Sequence, residues 1–469
     1  MITKNLKIAL LSIIYILGYV SLSFELIVLR QLVNFVGSNT LITSIVITFI
    51  LLFMSVGYYI GSTISIAHKP LRQRMQSLSM SLGIWGIISC SYLMVEYSFG
   101  IMYALGIRAT TAYVLTYSCV YLAYPSICFG FITAVIGRFI HRANVNYTGR
   151  FMAIDTMGSV SGSILTTLIL MPWIGVSYTI IVLVTMALLA SWILTRKIDK
   201  KSDSILFIIV LAMVIYMNDY RFINPKVIKE DAISRIEIDD VDFKNGIPQS
   251  KLLKVNGAHS SKVSKDENLM FDYIKYINNN FIKTLPHDNP RQILIIGAGG
   301  FTIGMDDTFH QYTFLDIDKH LQEISEKYFL PEKLSPNKKF IVEDGFLYML
   351  NNKEKYDIIV VDVYSARNSI PINFVTVDFF TKVKDSLKEG GIMIANVMTS
   401  ASFQNDFSRR LDNTLKKVFP KCLTRQVMQS FNPYKEDETS HANVEYIYYN
   451  CPPDDEFYTI NKNKAIFGQ

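Results

Sequence analysis

Three aspartates and a glycine pair in the second half of this 469-residue chain have the types and spacing to do chemistry. Gly297 and Gly299 follow the apolar run Gln292-Ile-Leu-Ile-Ile, and Asp316 ends the run Tyr312-Thr-Phe-Leu-Asp. Asp344 and Gly345 follow a third short run at 339–342, and Asp362 closes Tyr356-Asp-Ile-Ile-Val-Val-Asp. Glycines there let the backbone turn tightly and approach a ligand. A carboxylate 19 residues after Gly297 is placed to accept both hydroxyls of a ribose, which is the role read for Asp316. Asp344 stands where an adenine amino group would be met, and Asp362 points at whatever reacts. The dinucleotide fingerprint G-x-G-x-x-G fails, because position 302 is Thr, and this weakens a nicotinamide or flavin reading. A single aspartate at a strand end is usually a cap or turn former. Three on successive strands beside a glycine turn favour a ligand that carries adenosine without pyrophosphate, a description that S-adenosylmethionine and its decarboxylated form both fit.

Such residues need a frame that brings strand ends together. Strands expected at 312–317, 339–342, 356–362 and 391–397 join the one at 292–296, with helical text at 318–328 and 376–388. Continuously apolar strands alternating with helices predict an α/β, Rossmann-like domain of the class I methyltransferase type, with a parallel, doubly wound sheet that binds ligands at the carboxyl ends of its strands. Ahead of it, short runs at 234–238 and 251–255 read as a small β-hairpin region, followed by a helical stretch at 266–284. The expected boundaries are 1–220, 221–285 and 286–469.

The first of these segments is a different material. Residues 1–195 hold ten basic and three acidic side chains, a net +7, while the remaining 274 residues sum to −1. The overall +6 is therefore not a nucleic-acid signal. Apolar runs of spanning length fall at 8–29, 40–66, 78–99, 110–137, 151–170 and 173–195, each long enough for a hydrocarbon core of about 30 Å. Basic residues precede the first run and follow the second (His68, Lys69, Arg72, Arg74), the fourth (Arg138, His141, Arg142, Arg150) and the sixth (Arg196, Lys197, Lys200, Lys201), which predicts that these ends face the cytoplasm. The segment 204–217 is apolar but short, so six spans are expected, with a seventh as the alternative. Gly57-x-x-x-Gly61 and Gly158-x-x-x-Gly162 suit close helix packing. Glu25 and Arg30 lie at membrane depth and need partners, each other or another span. Asp155 is expected in the first turn of its helix, where a carboxylate is favourable. The five cysteines show no framework spacing and read as structural thiols, and no metal-ligand spacing is present.

Taken together, these segments resemble the membrane-fused spermidine synthase-like proteins, in which a polyamine aminopropyltransferase domain follows a multi-span region. The resemblance rests on Phe24-Glu25-Leu-Ile-Val-Leu-Arg30 with Val36-Gly37-Ser38, on Gly57 with Gly61, and on Met152-Ala-Ile-Asp155-Thr-Met-Gly158. In the second half it rests on Leu253-Lys-Val-Asn-Gly257, Ile293–Gly299, Leu315-Asp-Ile-Asp318, Glu343-Asp-Gly345, Val361-Asp-Val-Tyr-Ser365, Ile370-Pro371 and Leu387-Lys-Glu-Gly-Gly391. It implies a transferase that moves an aminopropyl group from decarboxylated S-adenosylmethionine to a small-molecule amine and releases methylthioadenosine. Asp362 matches the catalytic carboxylate, Asp316 the ribose acid, Asp344 with Gly345 the adenine side, and Gly297 and Gly299 the loop under the methionine-derived chain. His259 and Tyr364 become candidate substrate contacts. The chain departs from the family at Gly300, where an Asp is usual, at His259 in place of Gln, at Met270-Phe271-Asp272 in place of Tyr-His-Glu, and at Ser365, where a second Asp is missing. These losses fall on the amine side of the site and leave the acceptor open. Two other outcomes stay open: methyl transfer to a membrane-associated substrate, and a polyamine transporter or sensor without turnover. The expected partners are the lipid bilayer and the amine, with a homo-oligomer left open, and the catalytic domain is expected in the cytoplasm.

Overall fold

The computed structural model describes residues 4–36, 40–64, parts of 77–85, 90–107, 110–143, 148–194, 200–364, 370–428 and 442–449. The chain forms two compact units, one of Met1–Asp239 with Leu253–Ser260 and Ser365–Ser369, the other of Asp240–Leu252 with Ser261–Tyr364 and Ile370–Gln469.

The described residues of the first unit are mostly helical up to Ile223. Among the described residues, four stretches are long and apolar enough to cross a membrane: Ile8–Val33, Thr40–Thr63, Thr111–Arg142 and Thr148–Ile193. The last contains both expected runs 151–170 and 173–195 and is interrupted at Gly175, whose φ of 81° is left-handed. The run 78–99 lies partly outside the described residues, and the helix Tyr92–Ala104 stands at its end. His68, Lys69, Arg72, Arg74, Arg196, Lys197 and Cys451 lie outside them as well. The segment 204–217 belongs to a longer helix, Lys200–Asn218, of 19 residues. The small-residue pairs do pack helices closely. A side chain at Gly57 would strike the Ile127 carbonyl, and one at Gly158 or Gly162 would strike the backbone of Tyr15 or Tyr19.

Three expectations need correction. Arg30 is bonded beyond the helices. Its Nε donates to the Ala232 carbonyl at 2.9 Å, and its Nη2 donates to the Asp231 carbonyl and Asn256 Oδ1, both at 3.2 Å. A guanidinium at a helix end is drawn to the densest cluster of acceptors within reach, and here that is a turn beyond the helices. Asp155 sits in the third turn of Thr148–Leu165, because the helix begins earlier than the apolar run does. Cys422 is disulfide-bonded, since pairing depends on proximity in the fold and not on spacing in the sequence.

Between residues 227 and 264 the chain makes a four-stranded sheet in the order β1 (Val227–Glu230), β2 (Arg235–Lys244), β3 (Ile247–Val255) and β4 (Ala258–Ser264). The expected hairpin is thus the centre of a larger sheet.

The second unit is built on seven strands: β5 (Gln292–Ile296), β6 (Gln311–Asp316), β7 (Lys338–Val342), β8 (Tyr356–Val361), β9 (Leu387–Thr399), β10 (Leu423–Val427) and β11 (Ala442–Tyr449). Their order is β10-β11-β9-β8-β5-β6-β7, and β5 through β9 run parallel. The sheet is mixed and not wholly parallel, because β11 pairs antiparallel with both β9 and β10. A doubly wound sheet commonly carries such an antiparallel edge. Residues 293–296 of β5 are 0–1% exposed, as expected for a central strand covered on both faces. Covering helices include Val377–Asp385 and Asp406–Val418, the latter capped by Asn405 and burying Leu411, Leu415 and Val418 along one stripe. The chain leaves β5 toward β6 and β7, then returns to β8 on its other side. That reversal opens a crevice at the carboxyl ends of β5 and β8.

Candidate active site

Strand register determines which side chains meet at the crevice. Ile296 pairs with Leu315 and with Val361, Val361 with Ala395, and Asn396 with Glu445. One residue beyond the first of these pairs, Asp316, Gly297, Asp362, Asn396 and Glu445 fall into a row across β6, β5, β8, β9 and β11. Neighbours in register project to the same face of a sheet. A continuously apolar domain therefore carries one polar line, at the level where its central strands end.

Asp362 is the centre of that line. Its Oδ2 accepts from the Tyr273 hydroxyl at 3.0 Å and its Oδ1 from Asn396 Nδ2 at 2.9 Å, while its backbone N–H donates to the Ile296 carbonyl at 2.8 Å. Burial pushes its pKa up to about 6, against the pull of the two hydrogen bonds. Gly297 lies directly beside it. With φ 91°, and with the space for a Cβ taken by the Asp362 carbonyl, position 297 admits only glycine.

Asp316 receives two backbone donors, Ala298 N–H at 3.2 Å on Oδ2 and Asp318 N–H at 3.0 Å on Oδ1, so it ties the glycine loop to β6. Burial raises its pKa to about 6, with the Asp318 charge adding to the effect. Asp344 Oδ1 accepts from Phe346 and Leu347 N–H and caps the helix Gly345–Asn351. Gly345 packs that helix against Ile296 of β5. The Tyr364 hydroxyl donates to the Asn396 carbonyl at 3.1 Å and accepts from Met398 N–H at 2.8 Å, which fastens the turn after β8 to β9. Gly299 continues the loop with φ 51°. His259 is an exposed residue of β4 and belongs to the first unit.

The register therefore joins Gly297, Asp316 and Asp362, places Tyr364 beside them, and leaves Asp344 and Gly345 at the start of the helix after β7. Three members of the site were missed in the sequence: Tyr273, Asn396 and Glu445. The signal for Asn396 was present, since an amide inside Ile-Met-Ile-Ala-Asn-Val demands a buried partner. Glu445 was masked by the alternating text of Asn-Val-Glu-Tyr-Ile-Tyr-Tyr, which reads as a strand with one wet face.

Residues 271–429 match the family model described as the spermine/spermidine synthase domain, an interval that holds Asp316, Asp362, Tyr273 and Asn396. Over that interval the chain is similar to the spermine/spermidine synthase domain. Over 169 residues the chain is 32% identical to polyamine aminopropyltransferase 1 of Aquifex aeolicus, which is 34% of this chain and 58% of that protein. Over 206 residues it is 27% identical to the polyamine aminopropyltransferase of Pyrobaculum calidifontis, covering 36% and 71%. The chain spans 50–58% of the length of the first two curated relatives it matches. A solved spermidine synthase from Thermotoga maritima aligns at 20% identity and a TM-score of 0.34, over 48% of this chain and 73% of that one.

The packing around position 300 accounts for the glycine there. A Cβ on Gly300 would run into the Phe329 ring and meet Ser261 Cβ at 2.8 Å, and the Gly300 N–H is bonded to Ser261 Oγ at 2.8 Å. The loop has closed over the place where an acidic side chain would stand.

Proposed function

We propose that this chain is a membrane-anchored aminopropyltransferase that uses decarboxylated S-adenosylmethionine and an amine acceptor. The observation that carries the reading is Asp362, a carboxyl with a pKa near 6, held by Tyr273 and Asn396 against the glycine loop. An amine must be neutral to attack carbon. At neutral pH Asp362 is ionised, so it can accept the hydrogen bond of the attacking amine, orient its lone pair and take up the proton it sheds. The amine nitrogen bonds to the aminopropyl carbon next to the sulfonium, the carbon–sulfur bond breaks, and its electron pair stays on sulfur, giving neutral methylthioadenosine.

The fit of the adenosine-bearing co-substrate rests on the cradle at Gly297, which a side chain would fill, and on Asp316 beside it. Asp344 and Gly345 are proposed for the adenine side, Gly299 for the loop, and His259 and Tyr364 for the acceptor. The apolar helices of the first unit supply the anchor, and the charge distribution of their connecting segments argues for a cytoplasmic catalytic domain. The disulfide at Cys422 argues the other way, because disulfides persist in oxidising compartments. A reporter fused after Gln469 decides between the two sides.

The reaction itself is tested with the purified full chain, offered decarboxylated or intact S-adenosylmethionine with a panel of amines and a membrane extract. Release of methylthioadenosine is the expected result. S-adenosylhomocysteine would mean methyl transfer, and ligand binding with neither product would mean a sensor.

A further inference from the structure

Glu445 is the buried carboxyl that the reaction above does not use. It lies on β11, is 0% exposed, and neither carboxyl oxygen has a hydrogen-bond partner among the described residues. Its register partner is Asn396, whose Nδ2 holds Asp362 and whose Oδ1 is likewise buried without a partner. With Glu445 ionised, two strong acceptors stand side by side inside the domain, and the described residues supply no donor for either. An unpaired buried acceptor is costly, and more so when charged, so a group that satisfies both has a stabilising role to fill. Its chemistry follows from the vacant bonds: several N–H donors and a positive charge. The remaining groups that face Glu445 are Asp362 and the phenols of Tyr273, Tyr276 and Tyr364, none of them cationic. Burial and the nearby Asp362 both push the Glu445 pKa well above the usual carboxylate range.

We infer that Glu445 is a specificity-determining residue that binds a second ammonium group of the acceptor, together with Asn396 Oδ1, while Asp362 receives the reacting amine. The inference rests on the amine-acceptor reading above. Asp362 and Glu445 are two strand spacings apart, about 10 Å at the backbone, a span over which a short linear diamine presents one nitrogen to each carboxylate. It also gives the missing acid at Ser365 a replacement from a different strand, outside the interval 271–429.

The test compares 1,4-diaminobutane with 1-aminobutane, two acceptors that differ by one ammonium group, on the full chain and on Glu445→Gln. The wild type should favour the diamine in kcat/KM. The variant should lose about 10- to 100-fold of that preference, mainly through KM, the size expected for one charge-assisted hydrogen-bonded contact. An unchanged ratio of the two amines overturns the inference and leaves the transferase reading intact. If the wild type releases no methylthioadenosine from either amine, that reading fails, and calorimetry with 1,4-diaminobutane in the presence of methylthioadenosine decides on its own. Binding that weakens at least 10-fold in Glu445→Gln supports the second ammonium site; equal binding, or none by the wild type, overturns it. Should the Gln variant not fold, Glu445→Met keeps the volume, removes every hydrogen bond, and must show the same loss.

Discussion

Two clusters of buried charge in the molecule are treated differently. In the first unit, Arg30 hydrogen-bonds to Ala232, Asp231 and Asn256, and Glu230 Oε2 accepts from both the N–H and the hydroxyl of Ser177, at 3.1 and 2.5 Å. Asp231 is held by Lys229 at 2.6 Å and by the N–H groups of Ile233 and Ser234. In the second unit, the described residues give Asp362 two neutral donors and the Glu445 side chain none. The first cluster is satisfied internally and serves the fold. The second is short of positive charge and donors, and that shortage is what a cationic substrate can relieve. Burial alone therefore does not mark a functional carboxylate; burial without compensation does.

The largest effect that distinguishes the clusters is on turnover. Asp362→Asn should lower methylthioadenosine release by about 10²- to 10⁴-fold, the usual contribution of a positioned acid–base group, with affinity for the adenosine ligand kept within a few fold. Unchanged turnover would remove the assigned role. Arg30→Met should do the reverse, destabilising the detergent-solubilised full chain by about 3–5 kcal/mol, because it strips the guanidinium from buried acceptors. Arg30→Lys should recover only part of this, since an ammonium cannot reproduce the guanidinium fork. A melting temperature unmoved by Arg30→Met would mean the first cluster is not structural.

The two clusters were not equally legible in the sequence. Asp316 and Asp362 were visible because apolar strands that end in aspartate announce the carboxyl edge of a parallel sheet. Gly297 was visible because a turn into a crevice needs a residue without a side chain. The partners were less visible, since Tyr273, Asn396 and Glu445 come from segments 89, 34 and 83 residues away from Asp362 and meet it only through sheet order. The antiparallel pair β10 and β11 carries few of the signals that mark a βα unit, and with it Glu445 stayed hidden. Arg30 was recognised as needing a partner, but that partner lay in a turn some 200 residues on.

A smaller effect appears in the pH dependence of stability. Asp362 has a folded-state pKa near 6 against about 3.8 for the free side chain, so the folded state binds its proton more tightly than the unfolded chain does. The stability this contributes is fully present below about pH 4 and is lost as pH rises through 6, to a total of about 3 kcal/mol. Activity should rise over the same interval as the carboxylate forms, so the two profiles cross. Asp362→Asn removes the ionisation, and at pH 7.5 the variant should be more stable than the wild type while the two converge near pH 4. Matching stability profiles for wild type and variant would show that the carboxyl is not strained by its burial.

The smallest predicted effect concerns position 300, where the loop can be asked whether its departure from the family is packing or function. Gly300→Ala places one methyl group against Phe329 and Ser261 and should cost about 1–3 kcal/mol, as overpacking usually does. Phe329→Leu in the same chain should recover much of that loss by opening room for the methyl group, because residues in contact couple and distant ones do not. Gly300→Asp adds a charge that the closed loop cannot solvate, so its cost should exceed that of alanine and should not be rescued to the same degree by Phe329→Leu. If Gly300→Asp were instead tolerated and improved turnover of a diamine, the loop would be a weakened version of an acidic amine site. The polar row from Asp362 to Glu445 would then have to share the acceptor with it.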